Sequence, residues 1–329
     1  MKHHHWIGID LGGTKILAGL FDDQFRLLAR TKHPTDAAQG SESVFARMQV
    51  AVDELLAESG VSAAAVRGLG MGIPGQVDPR IGRVRYAPNL EWHDLDLSQH
   101  IPKSWTWPVH FENDVRMGTY GEFMHGAAKG AKHVLGIFVG TGVGGGVIIN
   151  GELYSGFNFN AGEIGHIVMH WRRGTQLESI AGRRYQMKRA KKLLDDAPKR
   201  IRRKWKDIKL SEMRSSQLAE FYQEADPIAV QIVDEAAKAL GAAVGSMMNF
   251  LSPEVVVFGG GVAGALGEPF LERIWEIAHR YVLPGAAEGV RCVPAALKDD
   301  SGIYGAAAYA RSRSNGHRLN GNGHKSNGH

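Results

Sequence analysis

A strand, a glycine-rich loop and a second strand occur twice in this chain, and that repetition limits its fold more than any other feature. Residues 6–9 are β-prone, Asp10-Leu-Gly-Gly-Thr-Lys15 follows, and residues 16–21 read as the next strand, with Asp22-Asp23 turning into 25–32. Further on, residues 134–139 are apolar, Gly140-Thr-Gly-Val-Gly-Gly-Gly146 forms the loop, and 147–149 resume the strand. Asn150-Gly151 is a type I′ hairpin signal, and residues 152–155 continue beyond it. Both loops join strand to strand, unlike the strand–loop–helix order of a P-loop, and no GxxxxGK(S/T) is present. A repeated device of this kind implies two structurally related halves. Glycines leave backbone N–H groups bare, and several convergent amides bind anions. Two such loops facing each other across a cleft would clamp a polyphosphate.

The material between and after the loops alternates. Helices are expected at 43–59 (ending at Gly60), 114–125, 178–194, 227–250 and 266–281, with a last one after Ser301. Strands are expected at 66–73, 109–111 and 255–258. The alternation indicates α/β domains with helices covering sheets, and 329 residues suffice for two of them. The change of domain is expected near residues 118–130. The expected division is 6–120 joined by a C-terminal helix at 299–311, then 121–298 as the second domain. Residues 1–5 are tag-like or disordered, and the Gly/Asn-rich 312–329 is too polar to order itself.

Composition excludes several classes. One cysteine, Cys292, allows no intrachain disulfide, which fits a reducing compartment. No apolar run approaches the length of a membrane helix and no secretory leader is visible, so the expected location is the cytoplasm. A net charge of +5 suits an anionic ligand without indicating nucleic acid.

Within the loops the residue types narrow the chemistry. Asp10 ends a strand beside the first loop, where a carboxylate near phosphate needs a cation between them, so Asp10 is a candidate to hold Mg²⁺, directly or through water. Gly12, Gly13, Thr14 and Lys15 add bare amides, a hydroxyl and a positive charge. The second loop has five glycines in seven positions plus Thr141. Gly259-Gly-Gly261 lies between a strand and a helix and could receive a flat adenine or ribose, or serve close packing. Asn113-Asp114 stands where a strand gives way to a helix. Asp114 reads either as an N-cap or as a general base that accepts a hydroxyl proton. Ala161-Gly-Glu-Ile-Gly-His166 sets Glu163 and His166 three apart among glycines, with Glu178 at the next helix start. Such groups suit sugar hydroxyls.

With these residues in hand, the chain resembles the ROK family of sugar kinases and repressors from Trp6 to Arg311. The landmarks are DLGGTK at Asp10, GIPGQVD at Gly72, END at Glu112, GTGVGGGVIINGELYSG at Gly140, AGEIGH at Ala161, LE at Leu177, VVVFGGGVA at Val255 and DDSGIYGAA at Asp299. The resemblance implies an actin-like, ribonuclease-H-like pair of α/β domains with a hinged interdomain cleft, in a homodimer. It implies Asp114 as catalytic base, Asn89, Asn113, Glu163, His166 and Glu178 around a hexose, and Gly75 lining the pocket. ATP phosphates would lie at Gly12, Thr14, Lys15, Thr141 and Gly142, with adenosine near Gly260 and Gly261. Glucose fits this set, as do N-acetylmannosamine, fructose, mannose and allose.

Two departures stand out. Many family members carry a cysteine-rich zinc loop after the His. Here residues 167–177 are short and lack cysteine, so no structural zinc is expected. Residues 188–209 hold eleven Lys/Arg against three Asp, with Trp205 among them. This reads as a solvated helical face, or as a track for polyphosphate as an alternative donor. A sugar-responsive regulator would carry a helix-turn-helix module, and the loop at Asp10 leaves no room ahead of it.

Overall fold

The computed structural model describes residues 4–319, with side chains through residue 314. Two compact units divide them. The first holds 4–125, 156–160 and 300–319, and the second holds 126–155 and 161–299. The brief return at 156–160 was not signalled by the sequence.

The first unit opens with β1 (His5–Leu11), β2 (Lys15–Phe21) and β3 (Leu27–Pro34), an antiparallel meander. Helix α1 (Gly40–Ser59) follows and stops at Gly60, whose φ of 68° is the left-handed conformation of a helix end. Its buried stripe of Val44, Phe45, Met48, Ala51, Val52 and Leu55 has helical spacing and covers the sheet. β4 (Val66–Ile73) pairs parallel to β1. Three short strands, β5 (Gln76–Asp78), β6 (Arg83–Ala87) and β7 (Trp92–Asp96), then form a separate small sheet. β8 (Val109–Asn113) pairs parallel to β4 and leads straight into α2 (Asp114–His125). The main sheet runs β3-β2-β1-β4-β8.

The second unit repeats that plan. β9 (Val134–Val139), β10 (Val143–Ile149) and β11 (Glu152–Leu153) form an antiparallel meander. Asn150 and Gly151 have φ of 54° and 81°, as a type I′ turn requires. β12 (Val168–His170) and β13 (Thr175–Gln176) make a small hairpin. The helices are α3 (Glu178–Ala181), α4 (Arg183–Asp195), α5 (Lys199–Trp205), α6 (Ser215–Gln223) and α7 (Pro227–Leu251). β14 (Val255–Gly259) pairs parallel to β9. Then come α8 (Gly260–Leu266), α9 (Glu268–Ala278) and β15 (Arg291–Pro294), which is parallel to β14. The order β11-β10-β9-β14-β15 matches the first sheet strand for strand and direction for direction.

Three expectations need correction. The helix expected at 178–194 breaks at Gly182, which is extended (φ −68°, ψ 135°). The helix expected at 266–281 is α9, set apart from α8 by Gly267 at φ 70°. The chain returns to the first unit in α10 (Ser301–Leu319), which runs past the expected start of an unstructured tail at 312. Residues 1–3 and 320–329 lie outside the described residues, and His5 of the tag-like segment already belongs to β1.

Helix α10 seats on bare backbone. A Cβ on Gly70 of β4 would fall 1.9 Å from the Ala306 carbonyl oxygen, and one on Gly305 would fall 1.7 Å from that of Met117 in α2. No side chain fits at either position, so part of the glycine excess serves this contact rather than ligands. The contact fixes α2, and with it residue 114, against the sheet.

The basic stretch folds as α4 and α5. Trp205 is core rather than surface, and its indole N–H donates to Asp226 Oδ1 at 3.2 Å. Arg189 pairs with Glu235 at 3.1 Å and Lys204 with Glu224 at 2.7 Å. Lys188, Lys191, Lys192, Lys199, Arg200, Arg202 and Arg203 are exposed.

Candidate active site

In the first unit the glycine loop is a four-residue turn closed by Gly12 N–H donating to the Lys15 carbonyl at 2.8 Å. Its shape is held by Thr35, which sequence reasoning missed. Thr35 is fully buried. Its hydroxyl donates to the Gly12 carbonyl at 2.7 Å, and its N–H donates to the Thr14 carbonyl at 3.1 Å. Threonine at a strand end gives no sequence signal, because its partners are backbone atoms. Thr14 is exposed and Gly12, Gly13 and Lys15 are half-buried, so the turn stands at the surface of its unit. Asn89 comes against it: a Cβ on Gly13 would lie 3.1 Å from the Asn89 Cβ.

Asp10 pairs across β1 with Leu17 and with Gly72 of β4. Its carboxyl group packs on α10, where a Cβ on Gly302 would sit 2.6 Å from the Asp10 Cγ. Gly72 also adjoins α2, since its Cβ would lie 3.1 Å from the Asp114 Cα. The strand register thus brings Asp10, two residues before the turn, and Asp114 to one glycine.

The capping question is settled in favour of Asn113. Its Oδ1 accepts the Val115 and Arg116 N–H groups, each at 3.0 Å, while its Nδ2 donates to the Gly75 carbonyl at 3.1 Å. Asp114 shares the first of these amides with it. It is the half-buried first residue of α2, with one oxygen accepting the Val115 N–H at 2.9 Å. The partial positive charge of a helix N-terminus favours an anion there. Under it lies a buried ion pair, Glu112 with Arg116 at 3.2 Å, and Glu112 Oε1 accepts the Asn113 N–H at 2.8 Å. Glu112 entered sequence reasoning only as part of a motif. Arg116, four residues on along the same helix start, was missed.

The second unit gathers its own set. Gly140-Thr141-Gly142 turns between β9 and β10, with Gly140 N–H donating to the Gly142 carbonyl at 2.9 Å. Arg183 and Arg184 N–H groups donate to the Gly140 and Thr141 carbonyls at 3.0 and 3.1 Å. The Arg183 guanidinium donates to Thr141 Oγ1 at 3.3 Å, putting a cation on the loop that was not anticipated. Its signal would have been a glycine–arginine pair after a short helix, legible only once that helix is known to end at Ala181. Glu178 Oε2 accepts the Val143 N–H at 2.9 Å. Glu163 and His166 flank a single helical turn, and His166 Nδ1 meets Gln176 Oε1 of the β12–β13 hairpin at 3.3 Å. The cysteine-free hairpin thus supplies the group that orients the imidazole. Gly260, at φ 85°, lies against Val139, the residue before the loop. Gly261 is exposed beside Ser215.

Among the described residues there is no group of three or more His, Cys, Asp and Glu arranged to hold a metal. The sequence expectation for a cation rests on the carboxylate of Asp10. That fits Mg²⁺, which usually takes one or two protein carboxylates together with phosphate oxygens and water.

Known proteins share this architecture. A glucokinase of Halalkalibacterium halodurans is 30% identical over 96% of this chain and 97% of its own. The crystal structure of a ROK family glucokinase from Streptomyces griseus, in complex with glucose and AMPPNP, superposes with a TM-score of 0.80. It is 30% identical and covers 94% of this chain and 99% of that one. An inorganic polyphosphate/ATP-glucomannokinase from an Arthrobacter strain gives a TM-score of 0.63 at 26% identity, over 94% and 99% of the two chains. These likenesses and the doubled sheet establish a two-domain, actin-like α/β fold. The ROK family model matches residues 6–313, and the chain belongs to the ROK family.

Proposed function

We propose that this chain is a hexose kinase that moves the terminal phosphate of ATP to a hydroxyl of glucose or a close relative. One observation carries the reading: Asn113 caps α2 and so fixes the Asp114 carboxylate at the helix start, against Gly72 of β4, which pairs with Asp10 of the strand that leads into the first glycine turn. In this account Asp114 accepts the proton of the attacking hydroxyl as the sugar oxygen bonds to phosphorus. The bond from phosphorus to the bridging oxygen breaks and ADP leaves. Asn113, Asn89 and the Gly75 carbonyl hold hydroxyls on the first unit, and Glu163, His166 and Glu178 do so on the second. The amides of Gly13, Thr14 and Gly142, with Lys15, Thr141 and Arg183, hold phosphate oxygens, while Gly12, whose own amide closes the turn, lines their approach. Gly260 and Gly261 lie against the adenosine. Mg²⁺ bound by Asp10 and the phosphates would offset their negative charge.

Polyphosphate is a second candidate donor. The start of α4 is bonded to the Gly140–Thr141 loop, and exposed lysines and arginines continue along α4 and α5. The Arthrobacter relative named for both donors supports the comparison. The test is a sugar-phosphate product assay over a panel of hexoses, with ATP and polyphosphate as donors. Glucose with ATP is expected to give the highest kcat/KM. No product with any hexose and either donor would refute the proposal.

A further inference from the structure

We infer that Glu178 is a positioning residue that ties the sugar site to the second phosphate loop, so that acceptor and donor strengthen each other's binding. The inference rests on the functional reading above and adds a role to a residue placed there only at the sugar.

Glu178 is bonded to the loop rather than merely near it. Its Oε2 accepts the Val143 N–H at 2.9 Å. Val143 is the first residue of β10, so this amide sits where the loop becomes strand. The carboxylate also lies across Gly142. A Cβ there would stand 2.2 Å from Oε2, 2.9 Å from Cδ and 3.5 Å from Oε1. Residue 142 must lack a side chain for the carboxylate to reach the amide. The other side of Val143 is covered by the turn that carries Glu163 and His166, since a Cβ on Gly165 would be 2.0 Å from the Val143 carbonyl and 3.4 Å from the Glu178 Cβ. The same short segment grips the loop again through Arg183 and Arg184, which bond to the Gly140 and Thr141 carbonyls.

The consequence is mechanical. A carboxylate has about four lone-pair sites, so Glu178 can hold Val143 and still accept from a ligand hydroxyl. A sugar bound to Glu178 fixes the carboxylate and thereby the loop amides that meet phosphate. Phosphate on the loop fixes Glu178 in return, because coupling of binding free energies is reciprocal.

The test is titration of the full chain with AMPPNP and Mg²⁺, with and without glucose, by calorimetry. In the wild type, saturating glucose is expected to tighten AMPPNP binding by about 3-fold or more. Glu178→Ala should weaken AMPPNP binding about 5-fold without any sugar, since the loop amide loses its acceptor. Glu178→Gln keeps an oxygen for Val143. It should hold sugar-free AMPPNP affinity within about twofold of wild type while glucose affinity falls about 10-fold. Should Glu178→Ala fail to fold, Gly142→Ala displaces the carboxylate without removing it and is expected to weaken sugar-free AMPPNP binding likewise. Unchanged sugar-free affinity in Glu178→Ala, or equal losses in the Ala and Gln variants, would overturn the inference and leave the kinase reading standing. A wild-type protein that binds neither AMPPNP nor any hexose would remove both.

Discussion

Replacing Asn113 by alanine tests whether the start of α2 is held as described. Three hydrogen bonds go at once: the two cap bonds to Val115 and Arg116 at 3.0 Å, and the bond to the Gly75 carbonyl at 3.1 Å. Loss of an Asn cap costs about 0.5–2 kcal/mol. The Gly75 bond, made by a residue only 6% exposed, adds about 1 kcal/mol. A total near 2 kcal/mol corresponds to a fall in Tm of about 4–8 °C at roughly 2–4 °C per kcal/mol. Because Asp114 follows directly, kcat should fall about 10-fold or more through misplacement of the carboxylate. Asn113→Asp keeps the cap acceptors and should recover most of the Tm. It should not recover the kcat, since it loses the bond to Gly75 and sets a second carboxylate beside the first. Scanning calorimetry and initial rates on the three proteins decide the matter. A Tm change under 1 °C with unchanged kcat in Asn113→Ala would refute the reasoning.

Gln176→Ala should raise the KM for sugar about 3–10-fold and leave the KM for ATP unchanged, with Gln176→Glu restoring it, because only the orientation of His166 is lost; steady-state kinetics with each substrate varied checks this. Burial pushes the Cys292 thiol up to about 12, so iodoacetamide at pH 8 should label the native chain at least ~100-fold more slowly than the unfolded one by mass spectrometry. The Arg80 side chain, hydrogen-bonded to the buried Asp78, holds that carboxyl below its ordinary value. The stability it contributes is present above about pH 4 and is lost as pH falls through the lowered value, so Asp78→Asn should reduce Tm at pH 7 and flatten its decline below pH 4.

The features legible in the sequence were those carried by local chemistry. Two glycine turns between apolar, β-prone runs read as strand–loop–strand units, and two related halves followed from them. The register that sets Asp10, Gly72 and Asp114 together was not legible, because it is fixed by pairing between β1 and β4 far apart in the chain. Nor was the small β5–β7 sheet, whose strands are three to five residues long and too short for alternation to show. Glycine misled in both directions. At Gly182 it broke a helix that apolar spacing alone ran through, at Gly267 it set the start of another, and at Gly70 and Gly305 it serves helix seating rather than a ligand. Trp205 looked like part of a basic surface and is core, because its indole packs on Phe221 and bonds Asp226, partners distant in the chain. Thr35 and Arg183 act through backbone and loop contacts that only the folded chain assembles.

The central claim is that Asp114 accepts the proton of the sugar hydroxyl. Asp114→Ala should bind glucose within about threefold of wild type by calorimetry, and its kcat for glucose phosphorylation by ATP should drop by ~10²-fold or more. A variant that turns over at the wild-type rate would contradict the account.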